Sequence, residues 1–310
     1  MTSRAPLLLA PVLSALALAG CGLGPGEQRD GGATLRVTRD FGQRPLSGTS
    51  VKRVREGQTV MRLLQSKRRV RTRYGGGFVQ SIDGLSGRGA GGRHDWFFFI
   101  NGIESSVGAA EYKLSPGDVV QWDYRDWTAT MRVPAIVGAY PEPFLEGRDG
   151  KRLPVRVECE SAASEPCREV KDRLGRAGVK PTGASLGAPG TQGVARVIVA
   201  PWRRARLVAA LEPIERGPAK SGVFARFTGG GRGLDLLDAQ GRLVRRAAAG
   251  TGLLAAAAPT DKEVAWAVTG VDGRGVAAAA RALDPRTLRD AFAVAVTPGG
   301  AVKLPLGAGR

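Results

Sequence analysis

Histidine and cysteine are scarce in this chain: its 310 residues include one histidine, His94, and three cysteines. A single imidazole excludes a His-rich metal site, and a Ser-His-Asp arrangement could only be built around His94. No Gly-x-Ser-x-Gly motif near that histidine supports such a site. We therefore predict a protein that is not an enzyme, with no catalytic residues, no metal and no cofactor.

The glycine-rich loop at 268–276, between a strand and a helix pattern, lacks the lysine of a P-loop and a true dinucleotide fingerprint. Backbone N–H groups at the start of that helix could still attract a phosphate. The alternative is a helix start capped by Asp272, which needs no ligand.

The apolar run at the N-terminus, residues 7–19, is too short to span a bilayer and is typical of a signal h-region. It ends in Leu18-Ala19-Gly20-Cys21, which resembles a bacterial lipobox, where the cysteine is lipidated after the preceding segment is removed. An ordinary secretory signal cleaved near Ala19 is the alternative. We expect residues 1–21 to be a lipoprotein signal and 22–33 a flexible tether. The protein would then be extracytoplasmic and lipid-anchored to the cell membrane.

Acidic residues are outnumbered, because 46 Lys+Arg face 28 Asp+Glu and the net charge is +18. In a cytosolic protein this excess would point first to nucleic acid. No module that reads DNA or RNA appears, so we expect no nucleic-acid partner. Outside the cytoplasm, the charge suggests anionic lipid headgroups, wall polymers or simply solubility.

Cys159 and Cys167 are the other two cysteines. In an oxidising compartment, two cysteines this close are most simply a disulfide that closes a short loop. A redox-active pair would usually be more closely spaced, and a metal site would need further Cys or His. We predict a structural disulfide.

Residues 34–139 are predicted to form a β-rich domain with one helix, in the order β-β-α-β-β-β-β. Thr59 is the expected N-cap of that helix. In the aromatic segment 94–101, Trp96 and Phe98 should lie on one face of a strand, and Phe97 on the other. One helix covering one sheet is the β-grasp pattern.

Several motifs of this domain, in the same order along the chain, resemble the DUF4430 family. They are Glu56-Gly57-Gln58-Thr59-Val60, Ser81-Ile82-Asp83-Gly84-Leu85, Trp96 with Asn101-Gly102, and the run from Tyr112 through Gly117-Asp118 to Tyr124. That family is similar to the C-terminal β-domain of the vitamin B12 carriers transcobalamin and intrinsic factor. The resemblance implies a binding role, with a corrinoid such as cobalamin as the ligand.

One face of the predicted sheet must pack on the helix, and we expect the other to stay open as a platform for a flat ligand or a partner protein. The predicted ligand-binding rim consists of His94, Trp96, Tyr112, Trp122, Tyr124 and Trp127. The alternatives are a solvated loop histidine for His94 and core positions for the other aromatic residues.

Residues 140–152 are predicted as a proline-stiffened linker, and 153–310 as a mixed α/β sandwich domain with helices on one side of its sheet. Pro201 should begin a helix over 202–211. The overall fold class is α+β.

We expect a binding lipoprotein that captures a solute for an uptake system, with transporter components as partners. The alternative is an envelope module that contacts another protein or a wall polymer without a small-molecule ligand. A deep aromatic pocket between the domains would favour the first, and a flat open sheet face the second.

Overall fold

A computed structural model describes residues 28–29, 31–87, 92–260 and 263–307. The lipobox with Cys21 and most of the predicted tether lie outside these residues. In the described ranges, no helix is long and apolar enough to cross a membrane. Strands outnumber helices, and the predicted α+β class is confirmed.

The N-terminal unit comprises the described residues up to Asp126. Its strands are β1 (Gln28–Arg29), β2 (Ala33–Arg39), β3 (Arg44–Val51), β4 (Val54–Arg55), β5 (Val70–Arg73), β6 (Phe78–Ile82), β7 (Leu85–Ser86), β8 (His94–Ile100), β9 (Ile103–Glu104) and β10 (Val119–Asp126). Five of them form a sheet in the order β3-β2-β10-β8-β9, in which β2 and β10 are parallel. This order and the one helix below match the predicted β-grasp pattern.

The helix of this unit, α1 (Val60–Lys67), begins where the sequence predicts, because the Thr59 side chain accepts a hydrogen bond from the Arg62 amide at 3.2 Å. Its buried residues, such as Leu63 and Leu64, pack on the aromatic face of the sheet. The face of the sheet that α1 covers is therefore the hydrophobic core of the unit.

The C-terminal unit begins at Val155. Its strands are β11 (Val155–Cys159), β12 (Thr182–Ser185), β13 (Ala195–Pro201), β14 (Ala225–Thr228), β15 (Gly233–Leu237), β16 (Leu243–Ala247), β17 (Gly252–Thr260), β18 (Glu263–Gly270), β19 (Ala293–Thr297) and β20 (Gly300–Leu304). Its helices are α2 (Glu165–Arg176), α3 (Trp202–Ala205), α4 (Glu212–Glu215), α5 (Pro218–Ser221), α6 (Gly273–Arg281) and α7 (Pro285–Leu288).

Seven of these strands form the central sheet, in the order β12-β11-β13-β18-β17-β19-β20. Helices α2 and α6 cover one face. The expectation of helices on one side only is wrong, because α3, α4, the small sheet β14-β15-β16 and part of the N-terminal unit cover the other face. The central strands read as continuous apolar runs for that reason.

The predicted helix over 202–211 is also interrupted. α3 ends at Ala205, and a 3₁₀ turn at Ala209–Leu211 follows before α4. The predicted linker packs tightly, since the rings of Tyr140 and Phe144 lie 6.0 and 4.9 Å from that of Trp266.

Cys159, at the end of β11, and Cys167, in the first turn of α2, form a disulfide with their Cα atoms 6.2 Å apart. Both residues are buried in the core beneath α2. The bond therefore ties the end of β11 to the helix that covers this face of the sheet.

Replacing both cysteines with alanine should lower the free energy of unfolding by about 2 kcal/mol. The disulfide closes a short loop, so removing the bond increases the chain entropy of the unfolded state only modestly. Urea unfolding of the oxidised wild type and of Cys159→Ala/Cys167→Ala measures the difference. An unchanged midpoint would contradict a stabilising role for the bond.

Candidate functional site

Four of the six residues predicted to form an open aromatic rim lie in the core instead. Trp96, Tyr112, Trp122 and Tyr124 are buried beneath α1. The ring of Trp96 packs 5.1 Å from that of Tyr124. The prediction of an open rim is therefore corrected, because these rings supply the apolar area that the single helix covers.

The other two predicted residues remain accessible at the end of β8 and just after β10. His94 is exposed, and its ring stacks on Tyr124 at 5.6 Å. Trp127 is half-buried, and its indole N–H donates to Asp95 at 3.0 Å. Of the predicted rim, only the His94 imidazole and part of the Trp127 indole are therefore accessible to solvent.

The second face of the sheet, which was expected to be open, is covered by the C-terminal unit. Phe41 and Phe99 pack edge-on against Phe292, with ring centroids 5.4 Å apart in both pairs. Gln121 donates to the Asp290 carbonyl at 3.1 Å, and the Arg36 guanidinium pairs with the Asp290 carboxylate at 3.5 Å. The two units therefore share a core and polar contacts.

Three further charged side chains of the N-terminal unit, those of Arg125, Glu104 and Asp123, lie near this interface. Arg125 is fully buried, donates to Glu104 at 3.1 Å and places its guanidinium 3.8 Å from the ring centre of Phe97. Burial lowers the pKa of Arg125, and the nearby carboxylates of Glu104 and Asp123 oppose that change. Burial likewise raises the pKa of Asp123, against the opposing effect of Arg125.

Asp123 shapes the turn between β2 and β3. Its carboxylate accepts hydrogen bonds from the Phe41 amide at 3.0 Å, the Gly42 amide at 2.8 Å and the Thr38 hydroxyl at 2.6 Å. These bonds hold Phe41 at a φ of 59°, in the left-handed region. Gly42 is required beside it, because a Cβ there would lie 1.8 Å from the Asp290 carbonyl oxygen.

The docked units enclose an interdomain cleft of about 580 Å³ beside this turn. Its lining residues are Asp40, Phe41, Gln43, Arg44, His94 and Asp126 from the N-terminal unit, and Ala239, Gln240, Pro305, Leu306 and Gly307 from the C-terminal unit. Gln43 donates to the Pro305 carbonyl at 2.9 Å, so a hydrogen bond joins the two units among the lining residues. The volume lies within the range of small-molecule sites.

Most polar groups of the interdomain cleft already have partners. Asp40 pairs with Arg39 at 3.0 Å and with Arg44 at 3.5 Å, and Asp126 accepts from the Thr128 amide at 2.8 Å. The imidazole of His94 makes no hydrogen bond to any residue that the structure describes. It is therefore the polar group of the cleft that is best placed to meet a ligand.

Outside the interdomain cleft, the described residues form neither a cluster of metal ligands nor an open anion-binding loop. No group of three or more His, Cys, Asp or Glu side chains converges there. At the loop 268–276, Asp272 accepts from the Gly275 amide at 2.8 Å and from the Gly250 amide at 2.9 Å. The start of α6 is thus capped by the protein's own carboxylate, as the second interpretation of that loop predicted.

Sequence reasoning found His94 but missed the other lining residues of the interdomain cleft. They come from turns that are far apart in the chain, such as Gln43 and Gln240, and meet only because the units dock. One signal was available in β10, where Gln121, Asp123 and Arg125 alternate with apolar residues. That pattern was compatible with a solvated face, and all three side chains are buried.

Comparison with known proteins adds a family to this geometry. Residues 57–126 match DUF4430, a domain of unknown function. No curated protein matches the chain. Among solved structures, a protein from Ruminococcus gnavus ATCC 29149 for which metal binding has been proposed shares 13% identity. The match covers 31% of this chain and 97% of that one, with a TM-score of 0.25.

Proposed function

Because this chain carries a DUF4430 domain at residues 57–126, we propose that it is a non-enzymatic binding protein of the cell envelope. In this proposal Cys21 carries a lipid anchor, and the interdomain cleft captures a solute for an uptake system. The solute class is a flat, largely apolar molecule with a group that can meet an imidazole. A corrinoid is the named candidate, through the similarity of this family to the B12 carriers.

The observation that supports this proposal is the composition of the interdomain cleft. Leu306 offers half-exposed apolar surface next to the buried residues Phe41 and Pro305, and the exposed His94 imidazole also lines the cleft. Apolar walls with a few polar groups are typical of small-molecule sites. A cleft of about 580 Å³ would hold one edge of a corrinoid and leave the remainder accessible to a transporter component.

Titration with cobinamide, which leaves positions on its cobalt open, tests the proposal directly. We expect micromolar binding by equilibrium dialysis, together with a shift of the visible corrinoid bands as His94 approaches the cobalt. His94→Ala should weaken binding about tenfold and abolish the band shift. Because His94 is exposed, the thermal midpoint of the His94→Ala variant should equal that of the wild type.

Tyr74→Ala is the matched control, since it removes a ring that is 85% exposed and does not line the cleft. Its affinity for cobinamide should equal that of the wild type. Absence of binding at high micromolar cobinamide would contradict a corrinoid ligand. If the His94→Ala variant binds cobinamide as tightly as the wild type, the binding site does not lie in the interdomain cleft.

A further inference from the structure

A strongly basic surface lies on the N-terminal unit, away from the interdomain cleft. Between positions 52 and 73 the sequence has nine Lys and Arg residues and one acidic residue, Glu56. Eight of these cations are exposed, and all of them except Arg53 are here named the basic face: Lys52, Arg55, Arg62, Lys67, Arg69, Arg71 and Arg73.

The cations of the basic face are left without carboxylate partners. Arg68 lies in the same run but is not part of the basic face, because it pairs with Asp83 at 3.7 Å. No carboxylate in the described ranges forms an ion pair with any of the seven. All but Arg73 line two open hollows, of about 760 Å³ beside α1 and about 520 Å³ beside β5. Such a surface attracts a polyanion, and the attraction is strongest at low salt.

The path of the chain brings the basic face close to the proposed lipid anchor. Strand β1 pairs with β4, with Gln28 opposite Arg55. Only six residues separate Cys21 from Gln28, so their Cα atoms can be at most about 25 Å apart. A lipid on Cys21 would therefore hold the Arg55 region within that distance of the bilayer.

An aromatic pair follows the same run of cations. Tyr74 is 85% exposed and Phe78 is 39% exposed, and their rings lie 6.2 Å apart at the turn between β5 and β6. Arg73 directly precedes Tyr74 in the chain. Exposed aromatic rings beside cations are typical of surfaces that rest at the headgroup level of a membrane.

We propose that the basic face docks on the anionic phospholipid headgroups of the membrane that carries the anchor. The turn with Tyr74 and Phe78 then lies at the headgroup boundary, and docking fixes the orientation of the protein on the bilayer. This inference rests on the proposed lipid anchor, which supplies the proximity. The cations and rings supply the affinity for the surface.

Vesicle sedimentation of the full-length Cys21→Ser chain, which cannot be lipidated at that position, measures the docking without the anchor. The readout is the ratio of partitioning onto vesicles with 30% phosphatidylglycerol to partitioning onto pure phosphatidylcholine. The apolar N-terminal segment contributes to both and cancels from the ratio. We expect a ratio of about 100 at 0.1 M NaCl, falling towards 1 at 0.5 M.

Adding Arg62→Ala and Lys67→Ala should lower that ratio about 25-fold, or roughly fivefold for each cation. Alanine preserves α1, so folding should be retained and is checked by circular dichroism. The matched control is Arg203→Ala/Arg245→Ala, which removes two exposed cations from the C-terminal unit and should change the ratio by less than about twofold.

Two results would overturn the proposal. If both double variants lose the same affinity, net charge rather than the basic face determines binding. If wall sacculi retain the protein through Arg62 and Lys67 while phosphatidylglycerol vesicles do not, the partner is a wall polymer. Mass spectrometry of the native N-terminal peptide tests the anchor separately, so an unlipidated Cys21 would contradict the anchor and leave the vesicle result standing.

Discussion

Replacing Arg125 with methionine is expected to lower the free energy of unfolding by about 3–5 kcal/mol. The guanidinium is fully buried and is paired with Glu104 at 3.1 Å. Its loss would leave the carboxylates of Glu104 and Asp123 buried with less compensation, and an uncompensated buried charge is costly. Methionine keeps much of the volume against Phe97, so the loss would reflect charge more than packing.

Two further variants test whether the loss of stability comes from the buried charges. Arg132→Ala removes the other cation near Glu104, at 3.3 Å, but Arg132 is 64% exposed, and the expected cost is below about 1 kcal/mol. Adding Glu104→Gln to Arg125→Met should restore part of the lost stability, because it removes one of the stranded charges. If Arg125→Met itself cost less than about 1 kcal/mol by urea unfolding, the buried pair would not stabilise the interface.

The sequence predicted the N-terminal unit well because its signals are local. The alternation of Trp96, Phe97 and Phe98 follows from strand geometry, and the structure places Trp96 and Phe98 on the α1 side of the sheet. Thr59 caps α1 because its side chain satisfies an amide only three residues away. Neither inference requires knowledge of another part of the chain.

Strand β17 shows where local signals are insufficient. Its alanine-rich sequence has weak strand propensity, and the sequence analysis assigned no strand there. The structure explains the glycine at its start, since a Cβ at Gly252 would lie 2.3 Å from the Gly275 carbonyl oxygen of α6. Glycine is required there because α6 approaches closely, and that approach depends on the tertiary structure, not on the local sequence.

The candidate site was hardest to predict for the same reason. An aromatic-rich sheet indicates a binding surface when one of its faces is open. In this protein α1 covers one face and the C-terminal unit covers the other, so the same aromatic residues form the hydrophobic core. The C-terminal unit adds Phe292 and Phe224 to the second face, and no local pattern specifies that partner. Only the docking of the two units shows which residues remain accessible.

Phe41→Ala should test whether the two units depend on each other for stability. The Phe41 ring is buried and lies 4.8 Å from Phe224 and 5.4 Å from Phe292. Truncating it opens a cavity at the interface and should lower the free energy of unfolding by about 3–5 kcal/mol. The wild type is expected to unfold in one transition, and the variant in two, because the weakened interface no longer couples the units.

Phe78→Ala is the matched control, because it removes the same ring from a partly exposed position outside the interface. Its expected cost is within about 1 kcal/mol, with one transition retained. Calorimetry and intrinsic tryptophan fluorescence should be recorded together, since both units hold buried tryptophans: Trp96 and Trp122 in the N-terminal unit, and Trp202 and Trp266 in the C-terminal unit. A Phe41→Ala protein that keeps one coincident transition would show that the polar contacts of Gln121 and Arg36 with Asp290 suffice to couple the units. A split transition would instead mean that the Phe41 cluster maintains the interdomain cleft, and cobinamide affinity should then fall with it.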